Sequence, residues 1–95
     1  MDTHHPLTRR YVRVRGRVQG VGYRWFVRES AEAMGLTGWV RNREDGSVEA
    51  EVEGEPRALD EFVRRLKTGN PAASVDDIEC REAAPQGGRG FEIRR

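Results

Sequence analysis

The change in apolar spacing around one glycine-rich stretch restricts the fold more than any other feature of this sequence. The segment YVRVRGRV places Val12 and Val14 on one face and its charged residues on the other, as in a half-buried strand. From Tyr23 to Met34 the apolar residues instead recur at helical spacing, and Gly35 follows as a residue that ends helices. The connecting stretch GRVQGVG therefore predicts a tight turn from a strand into a helix.

The middle of the chain predicts a β-hairpin. Its two strand-like runs, LTGWVRN and SVEAEVEGE, flank the segment REDG, and an Asp-Gly pair in that position is a strong hairpin signal. The second run alternates, with Val48, Ala50 and Val52 on the inner face and glutamates on the outer face. We therefore interpret the carboxylate of Asp45 as part of the turn and not as a catalytic group.

A second helix and two strands complete the chain. Pro56 suits the first turn of a helix, and the apolar stripe of that helix comprises Leu59, Phe62, Val63 and Leu66. The segment VDDIECRE then predicts a strand with Ile78 and Cys80 inward. After the turn PQGGRG, the segment FEIR predicts a short final strand.

This order of elements defines the expected fold class. Two crossover helices packed on one face of a mostly antiparallel sheet give an α+β, ferredoxin-like βαββαβ sandwich, here with a short extra C-terminal strand. We expect one domain over residues 10–95, after a flexible N-terminal tail at 1–9. The tail contains His4 and His5, to which we assign no catalytic or metal-binding role.

The predicted sheet places charged residues on the face away from the helices. With the first strand between the third and the fourth, Arg13 and Arg15 share that face with the glutamates of the neighbouring strands, which are Glu49, Glu51, Glu53 and Glu79. Opposite charges on neighbouring strands stabilise a sheet modestly. We therefore expect a solvated face held by ion pairs and not a binding surface.

Composition narrows the classes of partner. The chain has 17 basic and 16 acidic residues, a net charge of +1, which argues against a general nucleic-acid binder. The single cysteine, Cys80, excludes an intramolecular disulfide and suits a reducing compartment. No apolar run is long enough to span a membrane, and no cluster of His, Cys and carboxylates has metal-ligand spacing. We expect a cytoplasmic protein without a metal or other cofactor.

The glycine-rich turn has two open interpretations on physical grounds. Glycines with positive φ let successive backbone N–H groups converge on an anion, and the following helix adds the positive end of its dipole. Arg24 lies at the start of that helix, where its planar guanidinium suits two phosphate oxygens. The segment lacks the Lys-Ser or Lys-Thr pair of a nucleotide P-loop. An anion site and a plain turn remain equally open.

Two long segments resemble a known family. GRVQGVGYRWF at 16–26 and GWVRNREDGSVE at 38–49 closely resemble the two signature stretches of the acylphosphatases. The resemblance extends to GEPRALDEFVRRLKTGNP at 54–71 and to the FEIR ending, and so covers nearly the whole chain. It implies the ferredoxin-like sandwich and hydrolysis of the carboxyl–phosphate bond of a small acyl phosphate.

The resemblance also implies the site residues. The family's phosphate cradle corresponds to the backbone N–H groups of Gln19, Gly20, Val21, Gly22, Tyr23 and Arg24. The guanidinium of Arg24 corresponds to the family's phosphate-binding arginine, and Asn42 to the asparagine that positions the attacking water. We therefore expect Asn42 to face Arg24 across one pocket, with no metal at the site. Gly22 corresponds to a position that varies in the family, so we assign no role to its side chain.

Two other functions remain as alternatives. A non-catalytic anion-sensing or interaction domain would keep the same fold and cradle without turnover. A single-stranded RNA-binding module would need aromatic residues on the two central strands, where this chain has Arg13, Arg15, Glu49 and Glu51. We favour a monomeric hydrolase of small acyl phosphates, with no nucleic-acid or membrane partner. Trp25 is interpreted either as a wall of the pocket or as a residue packed at the edge of the core.

Overall fold

The computed structural model describes residues 7–95 and contains two helices and five strands. In chain order they are β1 (Thr8–Arg17), α1 (Tyr23–Ala33), β2 (Thr37–Asn42), β3 (Val48–Gly54), α2 (Pro56–Thr68), β4 (Ser74–Ala83) and β5 (Phe91–Arg94). This order confirms the predicted βαββαβ arrangement with an extra terminal strand. Within the described residues, neither helix is long and apolar enough to cross a membrane.

The strands form one sheet in the order β4-β1-β3-β2-β5. Neighbours pair antiparallel except β2 and β5, which pair in parallel. β1 thus lies between β3 and β4, as predicted, and its C-terminal end leads into the glycine-rich turn. β1 and β2 are both antiparallel to β3 and therefore run in the same direction. Their C-terminal ends consequently lie at the same end of the sheet.

Apolar side chains from the helices and from one face of the sheet form the core. Removing this apolar surface from water supplies the main driving force for folding. The larger fully buried members are Val12, Val14, Val18, Tyr23, Val27, Val40, Val48, Val52, Leu59, Phe62 and Leu66. The periodic positions read from the sequence account for most of them.

The opposite face of the sheet carries the predicted ion pairs but is less solvated than expected. Arg13 lies opposite Glu49 on β3 and opposite Glu79 on β4. Glu49 is nevertheless only 2% exposed. Its carboxylate accepts hydrogen bonds from the Tyr11 hydroxyl at 2.6 Å, from Arg43 at 2.9 Å and from Arg41. Burial opposes ionisation, but these three donors outweigh it and lower the pKa of Glu49 from 4.5 to about 2.

Glu53 is buried on the same face by a similar arrangement. It is 3% exposed and accepts hydrogen bonds from Arg9 and from the backbone N–H groups of Gln86 and Gly87, at 3.1, 2.7 and 2.9 Å. The bond from Gln86 is the largest influence, and despite the opposing effect of burial the pKa of Glu53 is lowered. The expectation of a fully solvated face was therefore wrong for both glutamates, because carboxylates with paired oxygens tolerate burial.

Two further sequence expectations need correction. β1 begins at Thr8, and Arg9 is 3% exposed, so the domain extends two residues into the predicted tail. The remainder of that tail, including His4 and His5, lies outside the described residues. Cys80 pairs with Val12 on the helix side of the sheet, yet it is exposed. Its strand, β4, is an edge strand and has a neighbouring strand on one side only.

Candidate active site

The turn between β1 and α1 forms a backbone cradle over residues 19–24. Val18, 1% exposed, anchors the end of β1 in the core, and the chain then turns through Gly20 and Gly22 with φ of 76° and 74°. A side chain at either glycine would meet no atom within 4 Å. Glycine is therefore required here by the left-handed backbone conformation and not by a lack of space for a side chain. Such turns point successive N–H groups toward one side.

In the described part of the chain, the N–H groups of the cradle and of the first turn of α1 have no backbone acceptor. The first helical hydrogen bond runs from Phe26 N to Gly22 O at 3.1 Å, and none of the described side chains caps the helix. Within residues 7–95, the backbone hydrogen bonds outside helices and strands include none donated by residues 19–22. The first turn also has no acidic residue. These donors and the positive end of the helix dipole together suit an anion.

Arg24 adds a full positive charge beside these donors. It occupies the first turn of α1 and is half-buried, and its Nη1 donates a hydrogen bond to the Arg94 carbonyl oxygen at 3.1 Å. Arg24 forms no ion pair in the part of the chain that the structure describes. The end of β5 thus holds one side of the guanidinium, and no carboxylate of residues 7–95 neutralises its charge.

Asn42 is the last residue of β2 and lies on the same cavity as Arg24. This cavity has a volume of about 100 Å³ and is lined by Val18, Gly20, Gly22, Tyr23, Arg24, Trp25 and Asn42. The amide oxygen of Asn42 is buried and has no hydrogen-bond partner among residues 7–95. Buried polar atoms almost always have a partner, so this oxygen is suited to a group bound in the cavity.

The side chain of Gln19 joins the cradle to the hairpin that follows Asn42. Its Nε2 donates to the Arg43 carbonyl at 2.7 Å and to the Ser47 carbonyl at 2.9 Å. The hairpin is itself closed by Asp45, whose Oδ1 accepts from Ser47 N at 2.9 Å and from Ser47 Oγ at 2.6 Å. Both bonds lower the pKa of Asp45, and the one from the Ser47 side chain has the larger effect. Asp45 therefore belongs to the turn, and Gln19 links two segments that are distant in sequence.

The structure does not bring every predicted site residue to the cavity in the same way. Gln19 and Val21 are not among its lining residues. Tyr23 is 1% exposed and donates its hydroxyl to the Leu66 carbonyl at 2.7 Å, so only its backbone is available to the cradle. Burial raises the pKa of Tyr23. Trp25 lines the cavity and is 62% exposed, which favours the pocket-wall interpretation over packing at the core edge.

Sequence reasoning missed two supporting contacts. The carbonyl of Arg94 holds Arg24, and the amide side chain of Gln19 holds the hairpin. A backbone carbonyl occurs in every residue and so gives no signal in the sequence, and the family resemblance implies only the backbone N–H group of Gln19. Both contacts join segments that are far apart in the sequence.

The arrangement defines a class of site. Backbone donors, a helix N-terminus and Arg24 are suited to an oxyanion, and the Asn42 amide is suited to orienting a small polar molecule beside it. Cys80 is on β4, away from this cavity, and residues 7–95 contain no group of three His, Cys or carboxylate side chains placed to hold a metal. The fold is that of a ferredoxin-like domain, and its cavity combines N–H donors, one arginine and one amide in a site suited to a small oxyanion.

Comparison with known proteins agrees with this class and names the family. The acylphosphatase family model matches residues 10–93, so the chain belongs to the acylphosphatase family. It is 50% identical to an acylphosphatase of Azoarcus sp. (strain BH72), covering 96% of this chain and 93% of that protein.

Solved structures agree with the assignment. The crystal structure of the Bacillus subtilis acylphosphatase superposes with a TM-score of 0.87 at 44% identity, covering 95% of this chain and all of that one. An acylphosphatase from Coxiella burnetii gives a TM-score of 0.88 at 36% identity, covering 93% of each chain. The ferredoxin-like fold class read from the sequence is therefore confirmed.

Proposed function

We propose that this acylphosphatase hydrolyses the carboxyl–phosphate bond of small acyl phosphates, releasing a carboxylate and inorganic phosphate. The observation that carries the proposal is the shared cavity. Arg24 and the glycine-rich cradle line it from one segment of the chain, and Asn42 lines it from another. The phosphoryl group is bound by the N–H groups of residues 19–24 and by the Arg24 guanidinium. The Asn42 amide positions the attacking water.

The chemistry needs few protein groups because the leaving group is good. The carboxylate that leaves has a conjugate-acid pKa of about 4, so it departs without being protonated by a general acid. Phosphoryl transfer mainly requires positioning and stabilisation of charge on the phosphoryl oxygens. The N–H donors of the cradle have no backbone acceptor among residues 7–95, and Arg24 forms no ion pair there. These donors and the positive charge of Arg24 provide this stabilisation at the helix N-terminus.

The water is activated by position. The buried amide oxygen of Asn42 accepts a hydrogen bond from the water, whose oxygen then attacks phosphorus in line with the leaving oxygen. The bond between phosphorus and the acyl oxygen breaks, and its electron pair remains on the departing carboxylate. The proton of the water passes to a phosphoryl oxygen of the substrate, so no protein base is needed.

Turnover of acetyl phosphate in excess chelator tests the proposal. We expect wild type to hydrolyse it and Arg24→Gln or Asn42→Ala to lose on the order of 10²–10³ in kcat, the usual effect of removing one stabilising donor. Arg64→Gln and Asn70→Ala are matched controls, since Arg64 pairs with Glu61 on α2 and Asn70 only caps a turn at Ala72. Inactive wild type that still binds phosphate would instead indicate an anion-sensing domain.

We also propose that the protein acts as a cytoplasmic monomer on a small molecule and does not bind nucleic acid. The net charge of +1 supports this proposal. The outer face of the central strands supports it too, because Arg13 and Arg15 pair there with carboxylates. The ring of Tyr11 on that face lies 4.6 Å beneath the Arg81 guanidinium. Light scattering and an RNA mobility-shift assay test oligomeric state and RNA binding directly.

A further inference from the structure

Trp25 is a large apolar side chain left in water beside the cavity. It is 62% exposed, although it follows Arg24 directly and lines the same cavity. The Arg28 guanidinium lies over the indole, 5.3 Å from the ring centroid. An exposed indole next to a reaction site provides a flat apolar surface that the fold itself does not use.

The cavity is too small to contain a whole acyl phosphate. Its volume is about 100 Å³, whereas a protein cavity of about 150 Å³ accommodates a single benzene molecule. Little room beyond that of a phosphoryl group remains once the attacking water is in place. The acyl group must therefore lie outside the cavity, against whatever surface borders its opening.

The in-line geometry of phosphoryl transfer decides which surface this is. The attacking water and the leaving oxygen lie on opposite sides of phosphorus. Asn42 presents a buried amide oxygen, whereas Trp25 lines the same cavity with a mostly exposed side chain. With the water held at Asn42, the leaving acyl group points away from Asn42, and Trp25 is the exposed apolar surface available to it.

The same geometry argues against a larger neighbouring cavity as the acyl site. That cavity has a volume of about 540 Å³ and is lined by Asn42 and by residues of the hairpin, including Arg41, Arg43 and Asp45. It borders the site on the Asn42 side, from which the water attacks. An acyl group placed there would occupy the path of the nucleophile.

We propose that the Trp25 indole is the acyl subsite, and that it favours acyl phosphates with flat, aromatic acyl groups over those with small ones. This inference rests on the proposed function. Arg28 covers part of the ring and holds its orientation, and the acyl group packs against the remaining indole surface. An aromatic pair corresponds to a gain of about 2- to 12-fold in binding beyond simple burial.

The test compares kcat/KM for benzoyl phosphate and for acetyl phosphate. We expect Trp25→Ala to lower the benzoyl-to-acetyl ratio by about 2- to 12-fold, mainly through KM for benzoyl phosphate, and Trp25→Phe to retain most of it. Trp39→Ala is the matched control, because the Trp39 ring on β2 contacts the Arg41 and Arg94 guanidinium groups and does not line the cavity. Its ratio should equal that of wild type.

The outcomes separate the two proposals. An unchanged ratio in Trp25→Ala, with both substrates still hydrolysed, would overturn the acyl subsite and leave the proposed function intact. Wild type that hydrolyses neither substrate would overturn both. A second readout is titration of the Trp39→Phe variant with benzoylphosphonate, in which Trp25 is the remaining tryptophan. Fluorescence that does not respond at saturation would also contradict the proposal.

Discussion

Replacing Gln19 by methionine removes the two hydrogen bonds between the cradle and the hairpin while keeping an unbranched side chain of similar length. The amide of Gln19 donates to the carbonyls of Arg43 and Ser47 at 2.7 and 2.9 Å. Asn42 directly precedes Arg43, so these bonds determine how the water-positioning amide is placed relative to the cradle. We expect the substitution to affect turnover more than phosphate binding.

The expected loss of stability is small. Two neutral hydrogen bonds contribute a net of about 0.5–1.5 kcal/mol each, and freeing the side chain returns up to about 2 kcal/mol of conformational entropy. Neither carbonyl loses its last donor, because Ser47 O still accepts from Arg43 N at 2.8 Å and Arg43 O from Gly46 N at 3.2 Å. A net loss of about 1 kcal/mol would lower Tm by about 4–8 °C in a domain of this size.

The expected loss of activity is larger. A displacement of about 1 Å between reacting groups can cost about 10²-fold in rate, so we expect kcat for acetyl phosphate to fall by about 10- to 100-fold. The inhibition constant of inorganic phosphate should stay near that of wild type, because the cradle N–H groups and Arg24 are unchanged. Steady-state kinetics, phosphate inhibition and thermal unfolding of the same preparations measure all three quantities.

Gln86→Met provides the matched control. Gln86 uses its backbone N–H toward Glu53, and a substitution of its side chain keeps that bond. We expect wild-type kcat and Tm for this variant. A Gln19→Met enzyme with lowered Tm and undiminished kcat would refute the positioning role and leave Gln19 a purely structural residue. A parallel loss of phosphate binding would show that Gln19 holds the cradle itself.

Three further predictions concern single positions. Gly22→Ala forces a side chain into a φ of 74° and should cost about 1–2 kcal/mol in unfolding free energy and weaken phosphate binding; unchanged calorimetric phosphate affinity would contradict this. Tyr23→Phe leaves the Leu66 carbonyl without its buried donor and should cost about 1–3 kcal/mol in urea unfolding, with no loss expected if the hydroxyl bond were dispensable. The pKa of Glu49 is lowered from 4.5 to about 2, so its stabilising contribution is present above pH 4.5 and is lost as pH falls toward 2. Glu49→Gln should therefore flatten the decline of unfolding free energy over that interval, by on the order of 1–2 kcal/mol after screening; an unaltered slope would refute the assignment.

Local patterns in the sequence determined the elements of this protein. Alternation predicted β1 and β3, a helical stripe predicted α1 and α2, and Asp45-Gly46 predicted the hairpin between β2 and β3. These signals are readable because they depend on neighbours within a few residues. The role of the cradle glycines was also readable, since the ability to adopt positive φ is a property of glycine itself.

Only the tertiary structure decided how the cavity is assembled and supported. It placed Asn42 and Arg24 on one cavity, an arrangement that the sequence suggested through family resemblance alone. It also showed that the Arg94 carbonyl holds Arg24 and that the Gln19 amide joins the hairpin. Cys80 stayed exposed despite its apolar-face position. These outcomes depend on backbone groups and on strand order, which bring together segments that are far apart in the chain. Neither can be read from the residue types of a short segment.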